Sequence, residues 1–327
     1  MRLLVLGGHG MLGRAVAGRA RAPDAGARAS DAWAAVEPDW DVCAVGRGEL
    51  DVTDPAAVRA ALRELAPTVV VNCAAWTDVD GAEAEPDAAL AVNGAGAGHV
   101  ARAAAEVGAR AIQLSTDYVF SGEEGRPYVE SDLPNPRSSY GRSKLAGELE
   151  VLAVADAHIV VRTSWLFGQG GRNFVDTMLG LGEEREEVSV VDDQVGCPTW
   201  TVDLAGGVLE LARRAATGAR SGGATGAGSG GVYHVAAAGS CSWYELAREI
   251  FDQAGVACRV TPTTTAAVSR PAPRPAFSVL ASERADAPRL RSWCEGVRGY
   301  LAQSGRLAGA QPDGTSTAAG RAGKTAG

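Results

Sequence analysis

The chain has 327 residues, 46% of them hydrophobic, and a formal net charge of −8. That length suits one large domain, or a nucleotide-binding domain with a smaller lobe. The acidic balance excludes bulk nucleic-acid binding, and no run approaches the roughly 18 apolar residues of a membrane span, so neither partner is expected. Six scattered cysteines without CxxC spacing and four isolated histidines read as reduced thiols and ordinary imidazoles, with no disulfide framework and no metal site.

The chain opens on an apolar strand, Leu3 to Leu6, that stops at Gly7-Gly8-His9-Gly10. This run is too short for a signal-peptide core and has no small-residue cleavage site, so a cytoplasmic protein is expected. A helix over Met11–Ala20 follows, then a strand at Val42–Val45 and a helix at Pro55–Leu65 with Asp54 as its N-cap. Next come a strand at Thr68–Asn72, an Ala-rich helical stretch over 86–107, a strand at Ala111–Leu114, a helix at Ser139–Val154 and a strand at Ile159–Thr163. Short apolar strands alternating with helices predict an α/β fold, a doubly wound parallel sheet of the Rossmann kind. Beyond about residue 165 the rhythm loosens. Strands at Val188–Val191 and Val232–Val235 and helices over 201–215 and 242–254, the second with Ser242 and Glu245 as a capping box, predict a smaller interwoven carboxy-terminal lobe. The expected division is a nucleotide domain mainly over 1–165, a substrate lobe mainly over 166–303 with strands returning to the sheet, and a disordered tail over 304–327. An Ala/Arg/Asp-rich insertion at 21–38 and a Gly/Ser/Ala linker at 217–231 complete the organisation.

The turn Gly7-Gly8-His9-Gly10-Met11-Leu12-Gly13 lies where the first strand meets the first helix. Glycines let the backbone approach a pyrophosphate, and the helix N-terminus supplies N–H donors and a positive dipole end. Placed there, the turn predicts dinucleotide binding. The second strand ends in Val45-Gly46-Arg47 rather than in the acid that would hold a ribose 2′-hydroxyl. Arg47 can pair with a 2′-phosphate, which favours NADPH while leaving NADH possible.

Tyr140 and Lys144 share the YxxxK spacing, which puts both on one face of a helix. A phenol titrates near 10 in water, so a neighbouring cation is needed to bring it towards neutral-pH proton transfer; Lys144 is placed to do so. Ser115-Thr116-Asp117 closes the fourth strand, where a hydroxyl can polarise a substrate carbonyl. Glycine turn, Thr116, Tyr140 and Lys144 in this order predict a short-chain reductase.

Several blocks then resemble the dTDP-4-dehydrorhamnose reductase family: Val71 to Asp80, Ser115 to Gly122, Tyr140 to Glu148, Arg162 to Gly168, Asn173-Phe174 and Asp193 to Thr199. Gly231 to His234 and Ser242-Trp243 extend the resemblance into the smaller lobe. It implies hydride delivery from NADPH or NADH to C4 of a dTDP-4-keto-6-deoxy-L-sugar, with Tyr140 as general acid, Lys144 tuning it and gripping the ribose, and Thr116 on the carbonyl. It further implies that Gly10, Met11 and Leu12 contact the pyrophosphate, that Asp51 and Val52 flank the adenine, and that Ala74, Ala75 and Trp76 line the cofactor cleft. Asp117 and Trp165 match the family's sugar contacts, Trp165 through an indole face. Related dehydratases carry an Asp-Glu pair after the threonine; Asp117-Tyr118 here excludes that chemistry. The acidic positions that bridge some family dimers through a metal fall on Ala15, Glu184 and Cys294, which predicts no metal and a monomer or weak homodimer. Two rivals share the motifs: a reductase of another deoxysugar in antibiotic biosynthesis, such as a dTDP-dihydrostreptose synthase, and a non-catalytic NADP-binding module like the regulatory subunit of methionine adenosyltransferase.

Overall fold

A computed structural model describes residues 1–21, 40–221 and 230–309, with side chains of 218–221 left aside. Most of the insertion, the linker from 222 to 229 and the tail beyond 309 lie outside the described residues. The amino-terminal half runs β1 (Arg2–Leu6), α1 (Met11–Arg21), β2 (Asp41–Val45), α2 (Pro55–Leu65) and β3 (Val69–Asn72). It continues with α3 (Gly81–Ala84), α4 (Pro86–Leu90), a π-helical turn (Ala91–Ala95), α5 (Gly96–Glu106), β4 (Arg110–Thr116), α6 (Ser139–Val154) and β5 (Ile159–Thr163). The remainder is β6 (Leu166–Phe167), α7 (Phe174–Glu184), β7 (Glu187–Val191), β8 (Val195–Gly196), β9 (Thr199–Trp200), α8 (Thr201–Ser221), β10 (Gly231–His234), β11 (Cys241–Ser242), α9 (Trp243–Ala254), β12 (Arg259–Thr263) and α10 (Trp293–Gln303).

Six parallel strands form the main sheet in the order β10-β5-β4-β3-β1-β2. The chain moves outward from β1 to β2 and then crosses back to β3, so strand order reverses between β1 and β3. Crevices at the carboxyl ends of strands lie at such a reversal. Val69–Val71 and Leu3–Val5 are fully buried because helices cover both faces, which is why these strands are continuously apolar rather than alternating. One core cluster packs α1 and α8 onto one face, around Val16, Leu204, Val208 and Leu211; the other packs α2 and α5 onto the opposite face, around Val58, Leu62 and Val100.

Local chemistry explains the helix ends. Asp54 accepts from the backbone N–H of Ala56 and Ala57 at 2.9 and 3.0 Å, a cap worth about 1 kcal/mol, and Pro55 follows where its missing N–H costs nothing. Ser242 and Glu245 form the expected capping box at α9. The helical stretch over 86–107 is interrupted by the π turn, which sequence periodicity does not show.

The smaller lobe has its own core of Phe167, Met178, Val188, Trp200, Ile250, Phe251 and Val297. It carries three two-stranded ribbons, β12 with β7, β11 with β8 and β6 with β9. Its chain nonetheless returns twice to the first half: α8 lies against α1, and β10 completes the sheet beside β5.

Candidate active site

The carboxyl ends of β1 and β3 meet the amino end of α1 around a cavity of about 340 Å³. Gly7, Gly10, Arg47, Asp51 and Val52 line it from one side; Ala74, Ala75 and Trp76 line it from the other. Gly7 has φ +68°, and a Cβ there would lie 2.7 Å from the Ala74 nitrogen. Only glycine permits both that backbone and that approach. Gly13 serves packing instead: a Cβ on it would collide with the Gly7 carbonyl and come within 2.8 Å of the Gly8 Cα. Met11 and Leu12 are not on the cavity wall. Met11 faces Gly171 beside it, while Leu12 is buried in the core under the sheet.

Arg47 is largely exposed at the mouth and pairs with Asp51 at 3.3 Å. Asp51 accepts from the Thr53 backbone and hydroxyl at 2.9 and 2.8 Å, which with Arg47 holds its carboxyl below the ordinary range. Glu49, the other acid of this loop, is turned back onto the Gly46 N–H at 2.7 Å and His9 at 3.4 Å.

β4 presents Thr116 and α6 presents Tyr140 and Lys144, with Cys73 of the cavity wall within electrostatic reach of Lys144. Ser138 caps α6 by accepting from the Gly141 N–H, which starts the helix at Ser139, one residue before Tyr140. Thr116 lies close enough to the Tyr140 hydroxyl to pull its pKa downward. Its own oxygen also accepts from the Tyr118 N–H at 3.2 Å and lies 3.1 Å from Asp117 Oδ1. Lys144 is buried and donates to the Leu114 carbonyl at 2.6 Å. Burial lowers the Lys144 ammonium to about 8, opposed by Glu148 and Cys73. The phenol departs from the sequence expectation: burial pushes Tyr140 up to about 12, against the pull of Thr116 and with help from Asp117. Desolvation thus keeps the Tyr140 hydroxyl protonated at neutral pH. Such a state suits protonation of a nascent alkoxide.

Asp117 is buried, contacts Ser164 at 3.1 Å, and is pushed by desolvation up to about 6 despite these bonds. Tyr118 packs edge-on to Tyr140 with centroids 5.7 Å apart. Trp165 sits at the start of the smaller lobe with φ +47°. Its indole stacks on Trp243 at 3.6 Å and 3°, and Gly196 backs the ring so closely that a Cβ would be 2.7 Å from Cζ2 and Nε1. Both faces are therefore covered, and a ligand meets this indole along its edge unless the pair parts.

A family model described as the RmlD substrate binding domain matches residues 1–305. The chain belongs to that family. A dTDP-4-dehydrorhamnose reductase of Streptomyces griseus is 50% identical over 257 residues, covering 77% of this chain and 82% of the relative. A probable dTDP-4,6-dihydroxy-2-methyloxan-3-one 4-ketoreductase of Streptomyces antibioticus is 41% identical over 308 residues, covering 91% of this chain and 94% of the relative. A crystal structure of dTDP-4-dehydrorhamnose reductase from Bacillus anthracis in complex with NADP superimposes with a TM-score of 0.81 at 35% identity, covering 92% of this chain and 99% of that one. The resemblance drawn from the motifs is thus met, and with it the Rossmann-like fold and an oxidoreductase rather than a binding module.

Within this RmlD-family chain the structure adds residues that the motifs do not single out. Asn93, in the π turn, is buried; its Oδ1 accepts from the Trp76 N–H at 2.9 Å, and its Nδ2 donates to the Trp76 carbonyl at 3.0 Å and the Ser143 hydroxyl at 2.9 Å. It ties the cofactor-side loop to α6, and π turns often mark functional sites. Its one signal in the sequence is an asparagine within an otherwise Ala/Gly-rich helical run. Trp243 belongs to a family motif, but only the fold brings it onto Trp165. A second signal lies in composition: of 31 Lys and Arg residues only Lys144 and Lys324 are lysines. Where a surface cation suffices this chain uses Arg, but a buried slot needing a compact, tunable ammonium takes Lys.

Proposed function

We propose that this protein reduces the C4 ketone of a dTDP-4-keto-6-deoxy-L-sugar with NADPH, converting dTDP-4-dehydro-L-rhamnose to dTDP-L-rhamnose. The observation that carries the reading is Tyr140 and the buried Lys144 on one face of α6, set against Thr116 at the end of β4, with Cys73 of the glycine-lined cavity within electrostatic reach of Lys144. The residues present fit a dinucleotide: the backbone approach at Gly7 leaves the space that a Cβ would fill, and the amino end of α1 faces it. Gly7 and Gly10 line the turn that receives the pyrophosphate, and the backbone of Met11, Leu12 and Gly13 carries that turn into α1. Asp51 and Val52 take the adenine side, Ala74, Ala75 and Trp76 the nicotinamide side, and Arg47 the 2′-phosphate. NADPH, when bound, supplies the hydride.

The chain's own residues do the rest. Thr116 and Tyr140 converge on the position of the carbonyl oxygen, so two O–H donors stabilise charge as it develops there. Tyr140, protonated at neutral pH, then delivers its proton to that oxygen. Lys144 stabilises the phenolate left behind and reaches the ribose. Asp117 orients the sugar hydroxyls, and the edge of Trp165 bounds the ring. The loss of acids at Ala15 and Cys294 supports activity without a bridging metal, in a monomer or weak dimer of the cytoplasm; no described helix is long and apolar enough to cross a membrane.

The test is to supply dTDP-4-dehydro-L-rhamnose and NADPH and identify the product by NMR. dTDP-L-rhamnose is expected. A different epimer or a ring-contracted furanose would transfer the protein to another deoxysugar, in keeping with the ketoreductase name of the Streptomyces antibioticus relative. Tight NADPH binding with no oxidation by any dTDP-4-ketosugar would overturn the enzymatic reading.

A further inference from the structure

Three residues one turn apart on α6, Tyr140, Lys144 and Glu148, face the last three residues of β4. Thr116 faces Tyr140, the Leu114 carbonyl receives Lys144 at 2.6 Å, and the Ser115 hydroxyl donates to Glu148 at 2.5 Å. Glu148 is 1% exposed and lies behind the reacting groups. Arg162 of β5 clamps its carboxylate through Nε at 3.0 and 3.1 Å and Nη2 at 2.6 Å. Arg162 is itself held: its guanidinium lies 5.0 Å over the Phe120 ring, and its Nη1 is 3.4 Å from His234 Nε2. His234 Nδ1 faces the Ala281 and Tyr128 carbonyls at 2.8 and 3.2 Å, so the proton sits on Nδ1 and Nε2 accepts. A buried ion pair is costly to desolvate against an apolar alternative, so its retention here asks for a use beyond stability.

We infer that Glu148 is a positioning residue for the proton-transfer step: held by Arg162, it fixes the end of β4 through Ser115 and sets a carboxylate one helical turn from Lys144. The inference rests on the proposed roles of Tyr140 and Lys144. The titratable groups around Lys144 are Glu148 and Tyr140 on its own helix and Cys73 at the end of β3, with Asp117 beyond Thr116 and Arg162 behind Glu148. Cys73 is pushed up to about 12 by burial and is neutral at working pH, which leaves Glu148 as the charge that opposes desolvation of Lys144.

The chain's lysine content makes the test direct. With 13Cε-labelled lysine only Lys144 and Lys324 give signals, and Lys324→Arg leaves Lys144 alone. In that background Glu148→Gln should move the Lys144 titration to lower pH by about one unit, a tenfold change in protonation. The alkaline limb of kcat should follow, kcat should fall about 10- to 100-fold, and KM for the sugar should stay within about threefold. Because an unpaired Arg162 can unfold the chain, Glu148→Gln/Arg162→Met removes both charges and should move the titration in the same direction by a smaller amount, the nearer Glu148 outweighing Arg162 behind it. Ser115→Ala keeps the charge and loses only the strand tether, so kcat should drop without moving the limb. An unmoved Lys144 titration and alkaline limb in the double variant, or in Glu148→Gln if it folds, would overturn the inference. A wild-type enzyme that never oxidises NADPH would overturn the proposed reaction instead.

Discussion

The proposed cofactor side and the proposed sugar side of this site are built on different principles. Around Gly7 the cavity is made mostly of backbone: a left-handed glycine, the amino end of α1, and a close contact between the ends of β1 and β3. Around Trp165 it is made of side chains drawn from far apart. Ser164 reaches Asp117, Trp165 stacks on Trp243, and Trp243 donates to Gln194 at 3.1 Å. The first arrangement is local and leaves a compact signature. The second depends on the smaller lobe folding back, and its parts are separated by tens of residues. Binding common to many substrates can be left to backbone, while selection among sugars has to come from side chains.

The strongest probe lies at the seam between the two. Tyr140→Phe removes the proton without disturbing either side, so kcat should fall about 10³-fold while the dissociation constants for NADPH and dTDP stay within about threefold. Turnover within a few-fold of wild type would remove Tyr140 as the principal acid. Gly13→Ala addresses the backbone side: its methyl group has nowhere to go against the Gly7 carbonyl, which should cost about 1–3 kcal/mol in stability. NADPH affinity should weaken with it while dTDP affinity in the folded fraction holds; equal losses in both would break the separation. Trp243→Ala addresses the side-chain half. It should raise the sugar KM roughly tenfold and abolish the far-ultraviolet exciton signal of the stacked indoles, leaving NADPH binding unchanged. Arg47→Ala, at an exposed mouth, should weaken NADPH about fivefold and leave NADH alone, as measured by kcat/KM with each cofactor.

A pH experiment separates the halves without a cofactor. Asp117, with its carboxyl raised to about 6, favours the folded state most when protonated. Its contribution is therefore present at low pH and is lost as pH rises from the unfolded value near 4 through about 6. Asp51 runs the other way, with stability present above the ordinary carboxylate range and lost on acidification. Replacing Asp117 by Asn should remove the downward slope in melting temperature between about pH 4 and 6; an unchanged slope would assign it elsewhere.

Much of this molecule is legible in the amino-acid sequence alone. The apolar strands, the Asp54 and Ser242 caps and the glycine turn announce themselves because each is decided by neighbours within a turn or two of chain. Tyr140 and Lys144 share a helix face for the same reason, and the resemblance of the surrounding blocks to a reductase family follows from short contiguous runs. What the chain does not show along its length is the environment of those groups. Tertiary burial turns Tyr140 from a phenol expected to be lowered by Lys144 into one raised to about 12, because desolvation is set by everything packed around it. The covered faces of Trp165, the π turn that aims Asn93 at Trp76, and the Glu148–Arg162 pair behind Lys144 are likewise decided only by packing. Short-range pattern thus carries the alternation of strand and helix, the glycine turn and the identity of the proposed acid; long-range packing sets how strongly that acid holds its proton and which edge of Trp165 is left open.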